Sequence, residues 1–153
     1  MKVHVENTSP AEEKQIRGWM QILAEELDIT DAIYSVHIHV APIDNTALMI
    51  PIPTPDKRIF IQLNINKKEK WLASLSHEMV HVKQVVKGET ILADPKTGLA
   101  FWRGEPYNMF RLNEMAARDY DFYRSLPWEQ EAFNRMHALA RIVARRMACP
   151  NQR

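Results

Sequence analysis

A chain of 153 residues with 46% hydrophobic content can bury one core, so we expect a single domain over residues 1–153. Its 20 lysines and arginines nearly balance its 19 aspartates and glutamates, which argues against a protein organised around nucleic acid or an anionic membrane. The lone Cys149 excludes an internal disulfide, and no apolar run has the length of a leader core or a membrane span, so the expected location is the cytoplasm.

The first predicted elements are a short strand and a long helix. Residues 2–6 alternate between polar and apolar side chains, which is typical of a strand. Ser9, Pro10 and Glu12 have the spacing of a capping box with proline at the first helical position, and apolar residues recur at helical spacing behind them. The pattern predicts a helix from Pro10 to about Leu27.

The next pattern, residues 32–40, predicts a strand with His37 and His39 on one face and apolar side chains on the other. Two histidines on one strand face resemble a metal-binding pair. We prefer the simpler interpretation that they are polar side chains facing solvent, and we extend it to His4 and His137.

Two further strands are predicted at residues 46–53 and 58–64. The turn-prone sequence at residues 54–56 between them favours a hairpin. Because Pro51 and Pro53 cannot donate a backbone hydrogen bond, we expect the first of these strands at the edge of the sheet. An extended peptide pairs readily with such an edge.

The following helix carries the sequence His77-Glu78-Met79-Val80-His81. A cap at Asn66–Glu69 is predicted to open this helix, and Lys87-Gly88 is predicted to end it. Apolar residues fall in one sector about 100° wide, namely Trp71, Leu72, Leu75, Met79, Val82 and Val86. His77 and His81 point to nearly the opposite side, together with Gln84, so we expect them to face a cleft or solvent.

The spacing of these two histidines indicates a metal site. On a helix, His77 and His81 lie about 40° apart around the axis and about 6 Å apart along it, so both imidazoles can reach one Zn²⁺ ion. Glu78 lies about 100° further round, too far to be an equal ligand but well placed beside the open position of such a site. We therefore interpret Glu78 as a general base.

The region from Glu89 to Leu126 has weaker patterns. Short strands are predicted at residues 91–94 and 99–102, around a turn, and residues 113–118 are compatible with a helix. The last helix is predicted from Pro127 to about Met147.

A catalytic zinc ion usually has three protein ligands. A metzincin would have glycine and histidine where this chain has Gln84 and Lys87, and no histidine occurs between residues 82 and 136. We therefore expect the third ligand to be a carboxylate from a later helix.

Three glutamates are candidates for this ligand. Glu129 falls on the apolar face of the last helix, where a carboxylate needs a partner, so it is the first choice. Glu131 falls among the arginines and is the second choice, and Glu114 is the third. The simpler alternative for Glu129 is a first-turn residue that complements the helix dipole.

His77-Glu78-x-x-His81 followed by Glu129-x-x-Ala132 resembles the gluzincin branch of the zincin metallopeptidases. The fuller set, with Trp102-Arg103-Gly104 and Pro127-Trp128-Glu129-x-Glu131-Ala132, is similar to short zinc-peptidase-like proteins of bacteriophage and bacterial genomes. The likeness covers about residues 58–140. It implies a zincin-like α+β fold, in which a small, mostly antiparallel sheet packs on the zinc helix and a C-terminal helix supplies the third ligand.

The chain departs from this family pattern at Phe133, where many gluzincins have aspartate or asparagine. This affects the expected hydrogen-bond support of the zinc ligands rather than the ligands themselves. SprT-like proteases are of similar size, but their downstream histidine ligand has no convincing match here.

The expected function is a zinc-dependent peptide-bond hydrolase acting on a peptide or protein substrate, with no nucleic-acid or membrane partner. His77, His81 and Glu129 would bind Zn²⁺, and Glu78 would act as general base. A zincin-fold module that binds peptides without cutting them is the alternative, and a structural domain with a fortuitous motif is a third interpretation. The oligomeric state stays open.

A second hydrogen-bond donor to the developing oxyanion is also expected. The sequence offers Tyr107, Tyr120, Tyr123 and His37 and does not choose among them.

Overall fold

The computed structural model describes residues 1–52 and 56–149. The strands are β1 (Lys2–Glu6), β2 (Ser35–Ala41), β3 (Ala47–Ile52), β4 (Arg58–Asn64), β5 (Thr90–Ile91), β6 (Leu99–Trp102) and β7 (Glu105–Asn108). The helices are α1 (Pro10–Glu26), α2 (Trp71–Val86), α3 (Met109–Arg118), α4 (Tyr120–Ser125) and α5 (Pro127–Ala148), and a 3-10 segment (Ile65–Lys70) precedes α2. The fold is of the α+β class.

Within residues 1–52 and 56–149, four strands form the main sheet in the order β1-β2-β4-β3. β1 pairs with β2 and β2 with β4 in parallel, and only β3 pairs with β4 in antiparallel fashion. The expectation of a mostly antiparallel sheet is therefore wrong for the sheet that packs on α2. The reason is that α1 serves as a crossover helix between β1 and β2, which lets these strands run in the same direction. Apolar alternation identifies a strand but carries no information on its direction.

The core lies between this sheet and the helices. Val36, Ile38 and Val40 of β2 are buried, as are alternate residues of β4, so one face of the sheet is apolar as the alternation predicts. α1 packs over β1, whereas α2 packs over β3 and β4. On the opposite face of the sheet, His37 stacks between His4 and Phe60. His37 is therefore half-buried between two rings rather than fully facing solvent as expected.

Most elements before residue 65 follow the sequence patterns. The strand at residues 2–6 and the hairpin of β3 and β4 are confirmed, and β3 lies at the sheet edge as the prolines predict. Helix α1 begins with the expected capping box, in which the Ser9 hydroxyl accepts from Glu12 N and the Glu12 carboxylate accepts from Ser9 N. Pro53 and most of the predicted turn at residues 54–56 lie outside the described residues.

The start of α2 differs from the prediction. The side chain of Asn64, not Asn66, provides the cap, because it accepts from Asn66 N and opens the 3-10 segment. α2 itself begins at Trp71 without a side-chain cap. At the other end, Gly88 follows the helix with a φ of +70°, a conformation that glycine adopts without strain.

The region between α2 and α5 forms a second, antiparallel sheet of β5, β6 and β7, followed by α3 and α4. The pattern analysis missed β7, which contains a proline, and α4, which has six residues. Both are too short to show a period.

Helix α5 packs along α2 and also contacts α1. As a result, α2 is buried on both sides, and Ser76, His77, His81, Lys83 and Gln84 are buried together with most of its apolar stripe, of which Leu72 and Val86 are half-buried. In the described part of the chain, no helix is long and apolar enough to cross a membrane.

Candidate metal centre

The packing of α5 on α2 brings three potential metal ligands together. His77 Nε2 lies 3.1 Å from Glu129 Oε2, and His81 Nε2 lies 3.2 Å from the same oxygen. The two imidazole Nε2 atoms are 3.2 Å apart. All three side chains are buried, and together they could hold a metal ion. These are the three residues that the sequence pointed to as ligands.

The triangle of atoms has the size that a zinc ion requires. Tetrahedral zinc binds nitrogen and oxygen ligands at about 2.0–2.1 Å, which places neighbouring ligand atoms about 3.3 Å apart. The observed separations of 3.1–3.2 Å come close to this value. Two imidazoles and one carboxylate also form a donor set that leaves a fourth position open.

The charges of the site fit a cation. Burial opposes the ionisation of Glu129, but the hydrogen bonds with His77 and His81 outweigh it and lower the pKa of this carboxyl to about 2. Burial also opposes protonation of His81, yet the neighbouring Glu129 outweighs it and raises the pKa of His81 to about 9. The buried carboxylate thus stabilises a positive charge beside it, and a bound metal ion would supply that charge.

Glu131, the second choice for the third ligand, is turned away from the triangle. Its carboxylate accepts from Lys83 Nζ at 2.9 Å and from Gln84 Nε2 at 2.9 Å. Glu114, the third choice, is exposed and pairs with Arg118 at 3.0 Å. Among the three candidates, only Glu129 reaches both imidazoles.

Phe133 occupies the position where the resemblance to gluzincins leads us to expect a polar residue, and it packs on the candidate ligand His77. Its ring meets the ring of His77 edge to face, with centroids 4.5 Å apart. Such a contact restricts the ring of His77 without a hydrogen bond. Phe133 therefore supports His77 by packing.

Glu78, the candidate base, lines the cleft beside the triangle. Burial raises the pKa of its carboxyl, while the nearby charges of His81 and His77 act in the opposite direction. Glu78 is therefore close enough to the two imidazoles to interact with them electrostatically.

The cleft over the triangle has a volume of about 1080 Å³. The edge strand β3 contributes Leu48 and Met49 to one wall, and the segments around β5 to β7 contribute to another. α3 and α4, which we call the outer wall (residues 109–125), also line the cleft, and α5 adds Phe133 and Met136. The edge strand β3 and the outer wall therefore both border the cleft that contains the triangle.

Of the four candidate oxyanion donors, three line the cleft and one does not. His37 lies on the far face of the main sheet, stacked on His4, and does not line the cleft. Tyr107, Tyr120 and Tyr123 do line it. Tyr123 interacts with Glu129, and burial together with that carboxylate raises the pKa of its phenol. Tyr123 is thus a neutral hydrogen-bond donor next to the triangle.

Gln84 is the residue whose role the sequence did not reveal. Its Oε1 lies 2.9 Å from His81 Nδ1, the ring nitrogen that faces away from Glu129. The helical spacing places Gln84 on the same ridge as His81, and this was the available signal. A glutamine close to a histidine also occurs on ordinary polar helix faces, so the spacing alone does not assign it a partner.

Comparisons with protein-family models, with curated proteins and with solved structures find no match to this chain. The geometry of the site therefore carries the functional interpretation by itself.

Proposed function

We propose that this chain is a zinc-dependent peptide-bond hydrolase of the zincin type. The observation that carries the proposal is the buried triangle of His77 Nε2, His81 Nε2 and a Glu129 carboxylate oxygen at the floor of a large cleft. The histidines come from one helix and the glutamate from another. A chain that needed only a stable α2–α5 contact would not require two imidazoles and a carboxylate there, because apolar side chains fill such a position at lower cost.

Zinc is the ion that best suits these donors, since two imidazoles and a carboxylate with an open position are typical of catalytic zinc sites. When bound, it supplies Lewis-acid chemistry, which lowers the pKa of water and polarises a carbonyl group. His77, His81 and Glu129 would hold the ion, and Phe133 restricts the ring of His77.

Glu78 acts as the general base. It lies beside the ligands and lines the cleft, where its carboxylate accepts a proton from the attacking water and then passes it to the leaving amine. Tyr123 is the proposed donor to the oxyanion, because its protonated phenol interacts with Glu129 and the residue lines the same cleft; its O–H would turn from Glu129 to the oxyanion as charge develops there.

The substrate is an extended segment of a peptide or protein that pairs with β3. Asn64 N donates to Thr46 O at 3.1 Å, so in the antiparallel register the next residue, Ala47, directs its backbone N–H and C=O away from β4. Met49, two residues later, also directs its backbone N–H and C=O away from β4. Pro51 has no N–H to offer, so the open edge presents two donors to a substrate strand, at Ala47 and Met49.

The substitution Glu78→Gln tests the mechanism. Because glutamine keeps the shape of the side chain but cannot accept the proton, we expect full zinc content and a loss of hydrolysis of about 100-fold or more. Zinc is measured by elemental analysis and hydrolysis by mass spectrometry of a mixed peptide library, with and without a chelator. The matched control is Glu69→Gln, which makes the same change at an exposed position.

Unchanged turnover in Glu78→Gln would reject the role of the base. A wild-type chain that holds zinc and binds library peptides without cutting them would identify a peptide-binding module instead.

A further inference from the structure

Gln84 is 1% exposed and lies one helical turn beyond His81 on α2. Its Nε2 is 2.9 Å from Glu131 Oε1 and 3.0 Å from the backbone oxygen of Trp128. A carboxylate and a carbonyl only accept hydrogen bonds, so these two neighbours identify the donating end of the amide. The other end, Oε1, then faces His81 Nδ1 at 2.9 Å and must accept from it.

This orientation fixes which ring nitrogen of a neutral His81 carries the proton. When Nδ1 carries the proton that it donates to Gln84, the lone pair of the neutral ring is on Nε2. Nε2 is the atom that faces His77 and Glu129. The amide of Gln84 therefore selects the tautomer in which His81 can bind a metal through the correct nitrogen.

Gln84 is itself held in place by a hydrogen bond to Glu131. Glu131, on α5, accepts from Gln84 and also from Lys83 Nζ at 2.9 Å. Lys83 is 7% exposed and makes a second ion pair with Glu89, again at 2.9 Å. Because a buried ammonium group needs carboxylate partners, Lys83 keeps Glu131 in place as the acceptor for Gln84. The contacts run from Lys83 through Glu131 and Gln84 to His81.

We infer that Gln84 is a positioning residue for His81, held by Glu131 and Lys83, and that it sets the affinity of the chain for zinc. The inference rests on the proposed function, since it takes His77, His81 and Glu129 as the zinc ligands, but it does not depend on peptide hydrolysis. Hydrogen bonds to the second nitrogen of a histidine ligand orient the ring and strengthen its bond to the metal.

The first test is Gln84→Met, which keeps a side chain of similar length and removes both the acceptor and the donor. Loss of such a support typically weakens metal binding by about 10- to 100-fold, and we expect a change of this size in the zinc dissociation constant, measured by competition with a chromogenic chelator. The matched control is Glu89→Gln, which disturbs the other ion pair of Lys83 but leaves the contacts of Gln84 intact. It should leave zinc affinity unchanged.

The second test observes the ring nitrogens directly, first in the wild type and then in Gln84→Met. In zinc-loaded wild-type protein with ¹⁵N-labelled histidine, NMR should show His81 bound through Nε2, with an Nδ1–H proton that exchanges slowly with water. In Gln84→Met this proton should exchange rapidly while the His77 signals stay in place. A residue that only stabilised the fold would not change one ring proton selectively.

Equal losses of zinc affinity in Gln84→Met and Glu89→Gln would overturn the inference, as would unchanged affinity in Gln84→Met or wild-type His81 bound through Nδ1. A wild-type chain that holds no zinc would overturn both this inference and the proposed function. Zinc binding that depends on Gln84 in a chain that cuts no peptide would support the inference and reject the peptidase alone.

Discussion

On one side of the cleft, α2 and α5 pack closely and bury the three proposed metal ligands, along with apolar residues such as Met79 and Ala132 that are fully inaccessible. On the other side, the outer wall has no buried residue in α3 or α4 and exposes Phe110, Met115 and Tyr120. Metal ligands must be held within fractions of an ångström, which requires side chains fixed by packing and hydrogen bonds. The outer wall supplies none of the three proposed ligands and contributes only Tyr123 to the proposed chemistry, so most of it does not have this requirement.

A matched pair of substitutions should show the largest difference between the two sides. Met79 is fully buried on the core face of α2, so Met79→Ala should lower the free energy of unfolding by about 2–5 kcal/mol. Met115 on α3 is 42% exposed, and Met115→Ala should change the free energy of unfolding by no more than about 0.5 kcal/mol. Urea denaturation of the two variants provides the measurement. Similar losses in both would show that the outer wall belongs to the same cooperative core.

A smaller effect is expected from the contact that joins α1 to the segment before α2. The Glu12 carboxylate pairs with Lys68 Nζ at 2.7 Å and also closes the capping box with Ser9, and these bonds lower the pKa of Glu12 from 4.5 to about 2. Because the folded state favours the ionised form, this contribution to stability is complete above pH 4.5 and is lost as the pH falls towards 2.

The variant Glu12→Gln should therefore lose stability less steeply than the wild type between pH 5 and pH 2, as followed by urea denaturation at several pH values. Lys68→Met should reduce the pH dependence of the free energy of unfolding only in part, since the hydrogen bonds between Glu12 and Ser9 remain. If the free energy of unfolding changed with pH equally in wild type and Glu12→Gln, the lowered pKa of Glu12 would be contradicted.

Local patterns predicted much of the fold. The capping box of Ser9 and Glu12, the alternation in β2 and β4 and the prolines near the edge strand all act within a few residues, so the sequence displays them directly. The direction of pairing between β1 and β2 depends on how the chain crosses over, which no local pattern records. The short elements β7 and α4 are determined by contacts with the rest of the chain.

The candidate site likewise has some features that the sequence shows and others that depend on the fold. The spacing of His77 and His81 is a helical property, and the apolar position of Glu129 marked a carboxylate that needed a partner. The contact of Gln84 with Glu131, and that of Phe133 with His77, join residues 47 and 56 positions apart in the chain, and they exist only because α5 packs on α2. Contacts of this kind cannot be read from one sequence.

The zinc content of the purified chain tests the central claim most directly, and Glu129→Gln is the variant to compare. We expect one zinc ion per wild-type chain, and in the variant a loss of affinity greater than the roughly 100-fold upper bound for a supporting residue, because one of three protein ligands is removed. A wild-type chain without stoichiometric metal, or equal zinc content and affinity in Glu129→Gln, would contradict the account.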